Sequence, residues 1–242
     1  MSVLTPDVAV IAGVGPGLGA SFARKFAKEG CRIALLARSS DFVETLSNEL
    51  RGRGTETVAI QTDIGEAEQV AAAFRRVREQ LGSVDVLINN ASASGPFAQP
   101  FIEIDAESFA RGWRVGVLGA FLCSQAVVPD MLRKRTGSIL FTGATSSVRG
   151  ASITFSSAKF AMRGLAQALA RELWPKGIHV AHVIVDGVIR ESEIELGSDD
   201  ETPEPLINPA AIAEAYWGLV RQDRSAWSLE LDLRPNREKF YE

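Results

Sequence analysis

Seven short runs rich in valine, isoleucine and leucine recur along the chain: VAVIA (8–12), RIALL (32–36), TVAIQT (57–62), VDVLIN (84–89), SILFT (138–142), HVAHVIV (179–185) and SLELDL (228–233). Between them lie segments of helical length, among them LGASFARKFAKEG, EAEQVAAAFRRVREQLG and AKFAMRGLAQALARELW. Runs that stay apolar instead of alternating suit strands covered on both faces, and strand–helix alternation builds parallel sheets. The expected fold is a doubly wound α/β domain with a seven-stranded, mostly parallel sheet. With 242 residues, 46% of them hydrophobic, one large core suffices, so residues 1–242 are read as one domain. A single stretch interrupts the rhythm. RESEIELGSDDETPEPLINP is acidic and holds three prolines, and is read as a lid or surface excursion at about 190–208.

Charge and cysteine usage narrow the function classes. A net charge of −4, with RKR at 133–135 as the one compact basic run, leaves no nucleic-acid footprint. Cys31 and Cys123 are too few for a disulfide framework and form no zinc motif. MSVLTPDVAVIAG lacks the pattern of a secretion signal, and VGVLGAFLCSQAVV (115–128) falls short of a membrane span. The expectation is a cytoplasmic protein that binds neither nucleic acid nor membrane.

The first strand runs directly into AGVGPGLGA, with Gly13, Gly15, Gly17, Leu18 and Gly19 leading into a helix. Glycines there let the backbone approach a pyrophosphate, while the helix N-terminus offers N–H donors and a positive dipole end. A tight strand-to-helix turn is the structural alternative. Further along, LINNAS (87–92) closes the fourth strand and FSSAKF (155–160) opens a later helix. Together these motifs resemble the short-chain dehydrogenase/reductase family over about the first 190 residues, and more weakly to the end.

The resemblance implies a Rossmann fold, a nicotinamide dinucleotide and a small-molecule substrate of carbonyl or alcohol type. It also implies self-association as a homodimer or homotetramer. Asp63 and Ile64 are expected against the adenine, Asn89 and Ala91 near the adenosine ribose, and Gly187 and Ile189 near the nicotinamide. Structural roles remain open for these residues: Asp63 as a helix cap, Asn89 as a tie between strands. At the end of the second strand an acidic residue would accept from the ribose 2′-OH, but this chain has Ala37 and then Arg38, suited to a 2′-phosphate. NADP is therefore favoured over NAD, although Pro16 stands where NADP-preferring relatives often carry a second basic residue.

Catalytic positions depart from the pattern. The family's tyrosine falls on Phe155, its serine on Ala144 and its asparagine on Gly116; Lys159 remains. A phenyl ring has no proton to give. Lys159 can still hold the nicotinamide ribose, and Thr142 and Thr145 are the loop hydroxyls named as candidates to orient a substrate or water. His179 and His182, three apart on a strand, point to opposite faces and cannot share a metal. Tyr216 and Tyr241 are the only tyrosines, and Arg190 with Glu191 replaces a familiar threonine. Two classes remain: an NADP-linked oxidoreductase with a non-standard proton donor, or a nucleotide-binding sensor or assembly protein.

Overall fold

A computed structural model describes residues 6–92, 99–189 and 205–238. Its strands are β1 (Val8–Ala12), β2 (Arg32–Ala37), β3 (Thr57–Gln61), β4 (Val86–Asn89), β5 (Ser138–Thr142), β6 (His179–Val185), β7 (Val188–Ile189), β8 (Leu206–Ile207) and β9 (Glu230–Leu233). The helices are α1 (Leu18–Lys28), α2 (Ser40–Gly52), α3 (Ala67–Leu81), α4 (Ala106–Trp113), α5 (Gly119–Lys134), α6 (Ile153–Leu173) and α7 (Pro209–Val220). Seven strands form one sheet in the order β3-β2-β1-β4-β5-β6-β9, and every pairing is parallel. β7 and β8 make a separate two-stranded ribbon. The order reverses between β1 and β4, which opens a crevice at the carboxyl ends of those strands.

Alternate residues of each strand feed two cores. Val10, Leu36, Leu87, Phe141 and Val180 face the layer of α3, α5 and α6. Ile11, Leu35, Ile88, Leu140 and Val183 face α1, α2 and α7. The helices present matching stripes at three- and four-residue spacing: Leu18, Phe22 and Phe26 on α1, and Val70, Phe74, Val77 and Leu81 on α3. Two starts are capped by the sequence itself. Asp105 accepts from the Ser108 N–H at 2.8 Å, and Asn208 accepts from the Ala210 N–H at 2.9 Å just before Pro209.

Boundaries shift modestly from the expected ones. The fourth strand begins at Val86, because the Asp85 carboxylate turns back to accept from the Asp7 and Val8 N–H groups. The last strand begins at Glu230, after Ser228 has donated its N–H to Gln222. Of the expected lid, 190–204 lie outside the described residues; Leu206 and Ile207 pair with Val188 and Ile189, and Asn208 already caps α7. The apolar segment at 115–128 belongs to a longer helical run, Ala106–Lys134, that by length and composition alone is sufficient to cross a membrane. Within the fold its Ala120, Cys123, Val127 and Met131 are core residues. A π-turn at Arg114–Leu118 divides that run into α4 and α5.

Candidate cofactor cleft and active site

At the carboxyl ends of β1 to β4 lies a cleft of about 290 Å³. It is lined by Gly13, Gly15, Gly17, Leu18, Gly19, Arg38, Asp63, Ile64 and Ala91, all expected from sequence, together with Val14, Leu36, Ala37, Thr62, Asn90, Ser92 and Val115. The glycines are there for different reasons. Gly13 has φ +98°, and a Cβ on it would sit 2.3 Å from the Ala91 nitrogen. A Cβ on Gly19 would lie 2.8 Å from the Val14 Cα, whereas Gly15 borders open space. The Gly13 and Val14 N–H groups both donate to the Leu36 carbonyl, which ties the turn to β2. Gly17 ends the turn and no side chain caps the first turn of α1; the Ala20 N–H donates to the Gly15 carbonyl, while Gly17, Leu18 and Gly19 line the cleft.

Asn90 escaped the sequence reading although it stands inside the quoted motif. Its side-chain amide donates to the Gly13 carbonyl at 2.8 Å, so the β4 exit loop braces the glycine turn. Spacing alone does not distinguish its role from that of Asn89. Asn89 is buried, donates to the Ser124 hydroxyl at 3.3 Å and does not line the cleft; its Oδ1 has no hydrogen-bond partner among the described residues. Asp63 accepts from the Gly65 N–H at 2.9 Å and its carbonyl accepts from the Glu66 N–H, a turn ahead of α3; the N-cap position is Glu66, and no side chain caps that helix, so Asp63 is not its cap. Ile64 packs beneath Gly119, where an added Cβ would come within 2.7 Å of it. Arg38 is exposed, and its guanidinium makes no hydrogen bond or ion pair among the described residues.

Lys159, Thr142 and Thr145 lie outside the lining of that cleft, at the end of β5 and the start of α6. Lys159 is buried at 6% exposure, and its Nζ donates to the Thr142 carbonyl at 2.7 Å. Burial lowers its pKa to about 8, because removal from water disfavours the charged form. The Phe155 ring centroid is 5.3 Å from the same Nζ. The Thr142 hydroxyl is engaged elsewhere: it accepts from the Tyr216 hydroxyl at 2.9 Å, and Tyr216 belongs to the α1–α2–α7 core. Thr142 therefore presents its carbonyl to Lys159 and its hydroxyl to the opposite layer. Thr145 Oγ1 is buried without a hydrogen-bond partner among the described residues.

Beneath α6, strand register places Glu230 beside His182. Burial, followed by the nearby Lys159 and Arg163 charges against the opposing pull of Glu230, lowers the His182 pKa to about 4. Arg163 grips the Glu230 carboxylate with two nitrogens at 2.5 and 2.8 Å. His179 instead stacks on Trp227, with ring centroids 4.8 Å apart. No cluster able to hold a metal occurs among the described residues. Gly187 (φ +144°) turns the chain after β6, and Ile189 sits in the β7–β8 ribbon; neither lines the cleft. Arg190, Glu191 and Tyr241 lie outside the described residues.

Comparison with known proteins agrees with this layout. Residues 7–199 match the family model described as short chain dehydrogenase. Oxidoreductase UcpA of Salmonella typhimurium is 31% identical over 222 residues, covering 88% of this chain and 82% of the relative. A short-chain dehydrogenase from Rhodopseudomonas palustris superposes with a TM-score of 0.80 at 34% identity, covering 95% and 98% of the two chains. An alcohol dehydrogenase from the archaeon Thermococcus sibiricus, complexed with 5-hydroxy-NADP, gives a TM-score of 0.85 at 27% identity over 98% and 99%. The parallel sheet, the glycine cradle and these matches together show that the chain belongs to the short chain dehydrogenase family of oxidoreductases.

Proposed function

We propose that this protein is an NADP(H)-linked oxidoreductase that moves a hydride between the cofactor and a small carbonyl or alcohol, with a proton donor other than tyrosine. The observation that carries the reading is the cleft itself: a cradle that a Cβ at position 13 or 19 would fill, an uncapped helix start beside it, and an uncommitted guanidinium at the end of β2. These features fit a dinucleotide, with the α1 N-terminus at the diphosphate and Arg38 at a 2′-phosphate. The bound nicotinamide would supply the hydride chemistry. Lys159 would hold its ribose, while Phe155, four residues earlier on α6, contributes no proton. The relative from Thermococcus sibiricus, crystallised with a hydroxy-NADP, supports the phosphorylated cofactor.

Calorimetric titration with NADPH and NADH tests the assignment. NADPH should bind more tightly, and Arg38→Ala should remove most of the difference. A charge-assisted contact of about 1.5–3 kcal/mol corresponds to roughly ten- to a hundredfold in affinity. Equal affinities in the unmodified protein would overturn the NADP preference.

A second reading, a cofactor-binding sensor or assembly protein without turnover, is favoured by the placement of the Thr142 hydroxyl against Tyr216 in the opposite core layer, which turns one replacement hydroxyl away from Lys159. NADPH oxidation across a panel of carbonyls and enones separates the two. Under either reading we propose self-association as a dimer or tetramer, supported by Phe109, Trp113, Leu118, Phe121 and Phe160, which leave large apolar surface exposed on α4 to α6 and the π-turn. Sedimentation showing only monomer at micromolar concentration would refute it. A reduced cytoplasmic setting completes the proposal, consistent with the buried free thiols of Cys31 and Cys123.

A further inference from the structure

We propose that Phe155 is a positioning residue for Lys159, its ring face holding the lysine ammonium by a cation–π contact at the place from which the lysine meets the cofactor ribose. The ribose half rests on the function proposed above; the contact itself does not. Four residues apart on α6, the two side chains share a face. The Nζ-to-centroid distance of 5.3 Å falls within the roughly 6 Å over which an aromatic quadrupole attracts a cation.

The surroundings give the ring its importance. An ammonium has three N–H donors, and the Thr142 carbonyl takes one at 2.7 Å. Lys159 makes no ion pair among the described residues. His182 on β6 is the titratable neighbour beneath it, held neutral by burial and by the Lys159 and Arg163 charges. Arg163, the next turn of α6, is closed off by Glu230 on β9. The Tyr216 hydroxyl on α7 donates to the Thr142 hydroxyl, in the opposite core layer. Among the described residues, the partial negative charge in contact with Lys159 therefore comes from one carbonyl and one ring face. Burial opposes the cation throughout, and the ring offsets part of that cost. A phenylalanine without a hydroxyl thus acts on the retained lysine, setting the fraction that stays charged near neutral pH.

Progressive fluorination of Phe155 drains the ring quadrupole while nearly preserving its shape, and so separates electrostatics from packing. The full-length protein would carry 4-fluoro-, 3,5-difluoro-, 3,4,5-trifluoro- or pentafluorophenylalanine at 155. Lys159 titration would be followed by NMR of ¹³Cε-labelled lysine, assigned with Lys159→Arg. The proton affinity of Lys159 should fall stepwise, by about five- to thirtyfold at full fluorination. Phe155→Leu should shift it in the same direction, and Phe155→Tyr should leave it near the unmodified value. Thermal melts establish folding; if the pentafluoro protein melts early, the mono- to trifluoro series carries the trend. A titration that stays flat across the folded series, or an unmodified Lys159 titrating near 10.5 like an exposed lysine, overturns the proposal. NADPH titrations at pH 7.5 test the ribose half separately. Affinity that falls with the protonated fraction supports it; affinity that stays constant while the lysine midpoint moves overturns the ribose half and leaves the contact standing. Absence of NADPH binding by the unmodified protein at pH 7.5 would overturn the cofactor reading, with the NMR series still deciding the contact.

Discussion

Replacing Gly13 by alanine tests the cradle more severely than any change at a charged residue. Two costs combine at this position. The backbone sits at φ +98°, where an L side chain is strained by about 1–2 kcal/mol. The new Cβ would also lie 2.3 Å from the Ala91 nitrogen and 2.4 Å from its Cα, so relief requires moving the β4 exit loop, and overpacking of this kind costs about 1–3 kcal/mol. That movement strains the Asn90 amide bond to the Gly13 carbonyl as well. Gly13→Ala should thus destabilise the fold by about 2–5 kcal/mol, lowering the melting temperature by roughly 4–20 °C for a chain of this size. Gly15→Ala is the internal control: nothing lies within 4 Å of its added Cβ, and the change should stay within about 0.5 kcal/mol. Differential scanning calorimetry and urea unfolding of both variants, with NADPH titration of the folded protein, measure the contrast. A Gly13→Ala protein melting within 2 °C of the unmodified one, or a Gly15→Ala protein losing as much, would refute the reasoning.

Other expectations concern the interior around Lys159. Its pKa is lowered from 10.5 to about 8, so the unfolded chain binds the extra proton between those values. The burial cost is fully present below pH 8 and lifts as pH rises toward 10.5. Lys159→Met should therefore stabilise the apo protein by about 1–3 kcal/mol at pH 7 while weakening cofactor binding, and the gain should vanish near pH 10.5 in urea titrations. Tyr216→Phe leaves the buried Thr142 hydroxyl without its donor and should cost about 1–2 kcal/mol in the same assay, with NADPH affinity unchanged. Phe155→Tyr, alone and with Ala144→Ser and Gly116→Asn, should raise NADPH-dependent carbonyl reduction, by up to roughly 10²- to 10⁴-fold for the combined variant. A Cβ at Gly116 would meet only the Ala158 methyl at 3.6 Å, so its first atom fits. Strong turnover by the unmodified protein that the tyrosine slows would show that Phe155 serves a different chemistry.

What could be read without coordinates follows the range of the forces involved. The strands were legible because residues such as Val10 and Ile11 are buried on opposite faces, which leaves an unbroken apolar run. The glycine turn was legible because few residues other than glycine tolerate the geometry of position 13. Long-range partners were not. Nothing in the spacing of Thr142 and Tyr216, 74 residues apart, announces their hydrogen bond, and so a hydroxyl read as a site candidate turns out to serve the far layer. Asn89 and Asn90 are adjacent and chemically identical; pleating sends one to Ser124 and the other to Gly13. Register between β6 and β9, which brings Glu230 to His182, depends on a crossover that no local pattern encodes.

The π-turn at Arg114–Leu118 has a consequence for tolerance to insertions and deletions. A π-turn closes over one more residue than the α-turn it replaces, and the helix on either side is regular. A π-turn winds more slowly per residue, so its five residues turn the helix by nearly the angle that one fewer α-helical residue would give, and loss of a single residue there would leave an unbroken α-helix with α4 and α5 close to their present phase. A residue lost instead from the regular first turn of α5 would turn α4 by about 100° relative to the part of α5 that Cys123, Val127 and Met131 fix in the core, and the whole error would fall on α4. Gly112 would leave its contact with Thr154, and Trp113 its hydrogen bond to Ser157. The π-turn is thus the one place in this helical run, among the described residues, where a single residue can be lost while the wall above the start of α6 and the sheet core both keep their register.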